Sequence, residues 1–337
     1  MKHSWPDNLR VLATVSMILL HVTSPVLSKY GVVSGTTWHF ANLIDSSARF
    51  CVPVFVMLSG ALLLNRDHSI RNFLKKRVVR VLLPFLFYSC LYIIYDYRKH
   101  TFNNTEAIYL FIWNKIAHGA AYHLWYIYMI IGLYLFVPVI GRWVRASTPK
   151  EIAYFLFIWM GTLVVSHPLL FKHKPNFELS YFSGFLGYLI LGYYLSLIKS
   201  SPKWKTSYSV LLLMAGISIT VAGTFFYTHN KGSFDGLFYG YLTPNVLLTS
   251  AGIFMLIGDF TFKSPVLERV RTFLCRYSFG MYLVHIVVLE KMARLGLNCF
   301  YKDPVIGIPL TTVVCLALSG LIVFVINKLP GGKYISG

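Results

Sequence analysis

Residues 306–327 read IGIPLTTVVCLALSGLIVFVIN, an apolar run without one charged side chain. A bilayer core about 30 Å thick takes roughly 20 residues of helix to cross, because each residue advances the axis by about 1.5 Å. Lipid offers no partner to backbone N–H and C=O groups, so a spanning segment must satisfy them internally, as a helix does. This run therefore reads as a transmembrane helix. Working back toward the N-terminus, comparable stretches fall at residues 10–28, 42–64, 79–97, 124–144, 151–170, 181–198, 207–227, 239–258 and 273–293. The expected fold class is all-α, a polytopic membrane helix bundle of about ten transmembrane helices.

Composition supports that reading. Of 337 residues, 56% are hydrophobic and only 13% charged, against about a quarter charged in soluble domains. The 31 Lys and Arg outnumber 12 Asp and Glu, giving +19. A nucleic-acid surface would cluster these cations on a soluble fold, whereas here they lie in short pieces between apolar runs, which argues against nucleic acid as a partner. Twenty of them fall on one set of alternate connections and ten on the other, with Arg49 inside a span. The positive-inside rule puts the richer set, and both termini, in the cytoplasm; an anionic ligand on that face adds to the bias. No small-residue cleavage site follows the first run, so it is expected to stay as an anchor. Connections are short and no repeat is visible, so residues 1–337 read as a single transmembrane domain. The longest outer connection, 98–123, overlaps AIYLFIWNKIAHGAAYHLW, an expected interfacial or re-entrant helix. Cys51, Cys90, Cys275, Cys299 and Cys315 form no CxxC pair and no cluster with histidine, so neither a disulfide framework nor a metal is expected.

Chemistry concentrates in a few places. The first span, WPDNLRVLATVSMILLHVTSPVL, carries Asp7, Arg10 and His21. Asp7 and Arg10, three apart, can pair. Arg10 and His21 are separated by about three turns, so they share a face about 16 Å apart along the axis. Pro25 removes the N–H that would bond the His21 carbonyl and is expected to strain or kink the helix there. An imidazole at this depth is a suspect for function: it can act as general base, as a packing residue or as a proton relay. In the second span Asp45 and Arg49 are four apart and can neutralise one another, Pro53 frees the Arg49 carbonyl, and Ser59 and Gly60 permit close approach of a helix or a ligand. The next inner loop, RDHSIRNFLKKRVVRVLLPF, places Arg77 and Arg80 on one helical face, able to grip a phosphate, while Lys75 and Lys76 read as stop-transfer charges. In AAYHLWYIYMI, Trp125 and Tyr126 suit an interfacial aromatic belt but His123 is less easily explained. In RYSFGMYLVHIVVLE, Tyr282 and His285 share a face, as a packing pair or as a wall of an acceptor cavity.

Arg10 with His21, the Arg77-x-x-Arg80 pair, the VPVFVMLSG stretch and the late YSFGMYLVH segment resemble acyltransferase family 3, the bacterial multi-pass O-acyltransferases that modify surface polysaccharides. The similarity runs through the whole chain in order. PDNLR and YHLW make it look closest to the branch that acetylates enterobacterial common antigen. The resemblance implies a bacterial inner-membrane enzyme that moves an acetyl group from cytoplasmic acetyl-CoA to a sugar hydroxyl of a surface or lipid-linked glycan. It implies a catalytic His21 supported by Arg10 and Asp7, with acyl-CoA received at Arg77 and Arg80. Ser59 and Gly60 are further candidates on the cofactor side, and Asp45, Arg49, His123, Trp125, Tyr282 and His285 on the acceptor side. Acyl-CoA, the glycan and membrane lipid are the expected partners, with no metal. Many members carry a further soluble domain, and onward transfer of that kind would here need a separate partner. The competing reading is a transporter of lipid-linked sugars, since intramembrane charges and proline-broken spans also mark transport paths; a structural scaffold would leave His21, Asp45 and Arg49 without a purpose.

Overall fold

The computed structural model describes residues 4–67, 69–100, 102, 104–173, 184–199 and 206–336. Its helices are α1 (Trp5–Leu27), α2 (Gly35–Ala48), α3 (Cys51–Leu63), α4 (Ile70–Tyr97), α5 (Thr105–His118), α6 (Trp125–Ala146), α7 (Pro149–Val165), α8 (Leu186–Lys199), α9 (Thr206–Lys231), α10 (Pro244–Leu256), α11 (Pro265–Arg294) and α12 (Pro304–Lys328). Among the described residues there is no strand. The chain is all-α.

Seven segments among the described residues are long and apolar enough to cross a membrane: α1, α2 with α3, α4, α5 through α6, α9, α11 and α12. About ten were expected. The runs at 151–170, 181–198 and 239–258 form α7, α8 and α10, of 17, 14 and 13 residues. At about 1.5 Å per residue these reach about 26, 21 and 20 Å, short of a full bilayer core. Local chemistry ends them. Thr148 and Glu151 close a reciprocal capping box at the start of α7, and Pro244 opens α10 at its first position, where a missing N–H costs nothing. Residues 181–183 lie outside the described residues, as do Lys2, Lys203 and Lys205.

The second expected span is interrupted. Arg49 and Phe50 are turn residues between α2 and α3, so Pro53 falls in the first turn of α3, where its N–H would have no helical partner. The Arg49 carbonyl, expected to be freed within a helix, thus belongs to the turn that precedes α3. Helix α1, by contrast, continues through Pro25 to Leu27. The connection over 98–123 does hold a helix, α5, with no buried side chain.

Helix α1 packs against α2, α3, α11 and α12, which makes it the hub of the bundle. Helices α3 and α8 touch backbone to backbone: a Cβ on Gly60 would lie 1.8 Å from the Leu189 carbonyl oxygen, and one on Gly192 would lie 2.0 Å from that of Met57. Small residues allow this approach where lipid gives helices no hydrophobic drive to associate. Polar latches gather at the two ends. At one, Asp259 accepts from the backbone N–H groups of Ser4 (2.6 Å) and Trp5 (2.8 Å) at the start of α1, and Arg145 donates to the carbonyls of Leu64 (2.9 Å) and Arg66 (2.7 Å). At the other, Lys99 joins Asp96 to Glu290, at 3.1 Å each.

Candidate active site

The α1, α3, α4, α6 and α11 helices line an open cavity of about 420 Å³, within the range that small-molecule sites occupy. Five arginines line it: Arg10, Arg66, Arg77, Arg80 and Arg276. Helix α4 presents Arg77 and Arg80 one turn apart, while Lys75 and Lys76 are exposed and stand outside the lining. Arg10 pairs with Asp7 at 3.2 Å and donates to Cys275 Sγ at 3.3 Å. Among the described residues, Arg66, Arg77, Arg80 and Arg276 pair with no carboxylate. Like charges crowded around one space repel, and an anion there removes the repulsion while gaining charge-assisted hydrogen bonds. The arrangement suits a ligand carrying several phosphates.

Away from the arginines the wall turns aromatic, with Phe55, Tyr126, Tyr134, Phe279 and Tyr282. Ser59 also lines the cavity, donating to the Phe55 carbonyl at 3.1 Å with its oxygen 3.5 Å from the Tyr134 hydroxyl. Gly60 does not line it; its missing side chain is spent on the contact with Leu189. Packing, not cofactor contact, accounts for this glycine.

Tyr282 is the shared wall. Its ring lies 5.5 Å from Tyr126 on the cavity side and 5.5 Å from His123 on the other, and its hydroxyl donates to the His123 carbonyl. Behind it three histidines from three helical segments meet. The His285 ring is 5.0 Å from His21 and 5.1 Å from His123. His285 is 0% exposed and His123 2%. His21, half-buried, has Nδ1 3.3 Å from the Tyr122 hydroxyl. The cavity thus ends one aromatic layer short of His21, which is itself not in the lining. Among the described residues no three His, Cys, Asp or Glu side chains are placed to hold a metal ion.

The remaining candidates stand beside this axis. Arg49 Nε donates to Asp45 Oδ1 at 2.6 Å, Asp45 Oδ2 accepts from Thr23 Oγ1 at 3.2 Å, and the guanidinium sits 4.0 Å over the Tyr239 ring. This buried pair is internally satisfied and braces α2 against α1 two residues beyond His21. Trp125 stacks on Tyr241 at 5.7 Å, next to Tyr126 but away from the histidines. Sequence reasoning missed Arg66 and Arg276, which read as topogenic charges, and Tyr122. The nearest signals were the position of Arg276 immediately before YSFGMYLVH and of Tyr122 immediately before His123.

Known proteins resemble the chain over most of its length. Residues 3–326 match the family described as "Acyltransferase domain", Acyl_transf_3. A Bacillus subtilis (strain 168) protein described as "Putative membrane-bound acyltransferase YfiQ" is 22% identical over 348 residues, covering 98% of this chain and 92% of that one. An Acidianus two-tailed virus protein described as "Putative acetyltransferase ORF330" is 26% identical over 262 residues, covering 73% of this chain and 74% of its own length. No solved structure matches the chain. Because the family match extends over nearly the whole helical bundle, arginine cavity and histidine cluster included, the chain belongs to acyltransferase family 3.

Proposed function

We propose that the protein is an O-acetyltransferase of the bacterial inner membrane, moving an acetyl group from acetyl-CoA to a sugar hydroxyl of a surface or lipid-linked glycan, with both termini cytoplasmic. The observation that carries this reading is the contact of two unlike half-sites through one residue: Tyr282 lines the arginine cavity and packs against His123 and His285.

In this account the phosphates of CoA dock on Arg77 and Arg80, with Arg66, Arg276 and the Asp7-braced Arg10 around them. The pantetheine arm runs along the aromatic wall and brings the thioester to Tyr126 and Tyr282. His21 takes the proton of the acceptor hydroxyl, the oxygen attacks the thioester carbonyl, the C–S bond breaks, and the departing thiolate recovers a proton. A route through an acetyl-imidazole on His21 uses the same groups. Purified protein in detergent, given labelled acetyl-CoA, is expected to release CoA. Mass spectrometry of surface glycans from a deletion strain and its parent should then find one acetyl group missing from one sugar. Identical glycans in the two strains would refute the acceptor class. For orientation, a reporter active only outside the cytoplasm should work when fused after Lys231 and fail after Ser200; the reverse would put the arginine cavity on the wrong face.

A further inference from the structure

The tautomer of His285 follows from one contact. His285 Nδ1 lies 2.7 Å from the Tyr282 carbonyl oxygen. A carbonyl only accepts, so Nδ1 carries the hydrogen and Nε2 keeps a lone pair. That Nε2 is buried, without a partner among the described residues, and its ring stands 5.0 Å from His21. A neutral imidazole that presents a lone pair within this three-ring cluster, 5.0 Å from His21 and 5.1 Å from His123, adds no positive charge to oppose an imidazolium forming on His21.

On its other side His21 meets a hydroxyl. The Tyr122 oxygen lies 3.3 Å from His21 Nδ1, with the two rings edge to face at 5.5 Å. Tyr122 is 67% exposed and sits on the short 3-10 turn Tyr122–Leu124 ahead of α6. The arginine cavity, by contrast, reaches the histidines from the Tyr282 side. A phenol O–H and a sugar O–H are the same kind of donor to an imidazole nitrogen.

We propose that the Tyr122 hydroxyl holds, in the free protein, the place of the acceptor hydroxyl on His21 Nδ1, and that an incoming alcohol displaces it. His21 Nδ1 is then the base atom, and His285 is a positioning residue. The acceptor O–H bond breaks as Nδ1 takes the proton, the oxygen bonds the thioester carbonyl carbon, and the imidazolium returns a proton to the CoA thiolate as the C–S bond breaks. This rests on the reading of His21 as base.

The test uses the full chain in detergent with labelled acetyl-CoA, and glycerol as the probe alcohol. Tyr122→Phe removes the competing hydroxyl but keeps the ring. It should raise kcat/KM for glycerol about two- to tenfold, the worth of one hydrogen bond. Tyr122→Ala should in addition raise CoA release to water alone. A fall in kcat for Tyr122→Phe, or no change in either rate, overturns the proposal. For His285→Gln, a fall in kcat with an altered pH profile and an unchanged acetyl-CoA KM is expected; an unaltered pH profile removes His285 from the scheme. His21→Ala separates the layers: retained activity there defeats the base reading itself, whereas an inactive His21→Ala with a slowed Tyr122→Phe defeats only the placement of the acceptor hydroxyl.

Discussion

At one end of the site five arginines line an open cavity of about 420 Å³, whereas at the other three histidines pack ring against ring, with His285 wholly buried. In the proposed function the arginine end works by charge and tolerates rearrangement, since long side chains around an open space can follow a flexible polyanion. The histidine end would work by position: the hydrogen on His285 is set by a single contact, the 2.7 Å bond from Nδ1 to the Tyr282 carbonyl. Mutations at the two ends should therefore fail differently, one in donor affinity and the other in turnover.

The largest effect is expected at the histidine end. His21→Ala should lower acetyl transfer by about 10²–10⁴, the usual worth of a positioned base, with protein level and acetyl-CoA binding retained. Transfer within a few-fold of the parent would reduce His21 to a packing residue. Next comes the brace of α2 against α1, beside the site. Asp45→Asn leaves the Arg49 charge buried beside Tyr239 without its carboxylate, a loss of about 3–5 kcal/mol for a broken buried pair, readable as a lower unfolding temperature in detergent. Stability equal to the parent would mean that the pair is not what holds α2 to α1. Smaller still, Arg80→Lys keeps the charge and loses the planar fork, so the KM for acetyl-CoA should rise several-fold at unchanged kcat. Smallest of all, Lys76→Ala, on the same helix but outside the cavity, should leave kinetics within about twofold, since one cation fewer preserves the positive-inside bias. Equal effects at Arg80 and Lys76 would dissolve the distinction between a binding site and a topogenic cluster.

Much of this was legible in the sequence because it is local. Apolar runs such as 306–327 declare membrane helices by composition, and the three-residue spacing of Arg77 and Arg80 declares a shared face. Helix ends were harder to read. A count of apolar residues runs straight through the turn at Arg49 and Phe50 and through residues 239–243, where proline and turn geometry, not hydropathy, decide the boundary. Gly60 could have faced a ligand or a helix, and only the position of Leu189 decides between them. Arg66, Arg276 and Tyr122 join the site through tertiary contacts between helices distant in the chain, and nothing at their own positions announces it. The approach of His285 to His21 has the same origin: each histidine was visible alone, but their meeting depends on how α11 lies against α1.

Equilibrium binding of labelled acetyl-CoA to purified protein tests the proposed division of labour between the two ends most directly, with the same preparations assayed for acetyl transfer. The His21→Ala protein should bind acetyl-CoA like the parent and fail to transfer. The double variant Arg77→Ala, Arg80→Ala should bind at least tenfold more weakly, each charge-assisted contact being worth about 1.5–3 kcal/mol. Undiminished affinity in the double variant, or lost affinity in His21→Ala, would contradict the account.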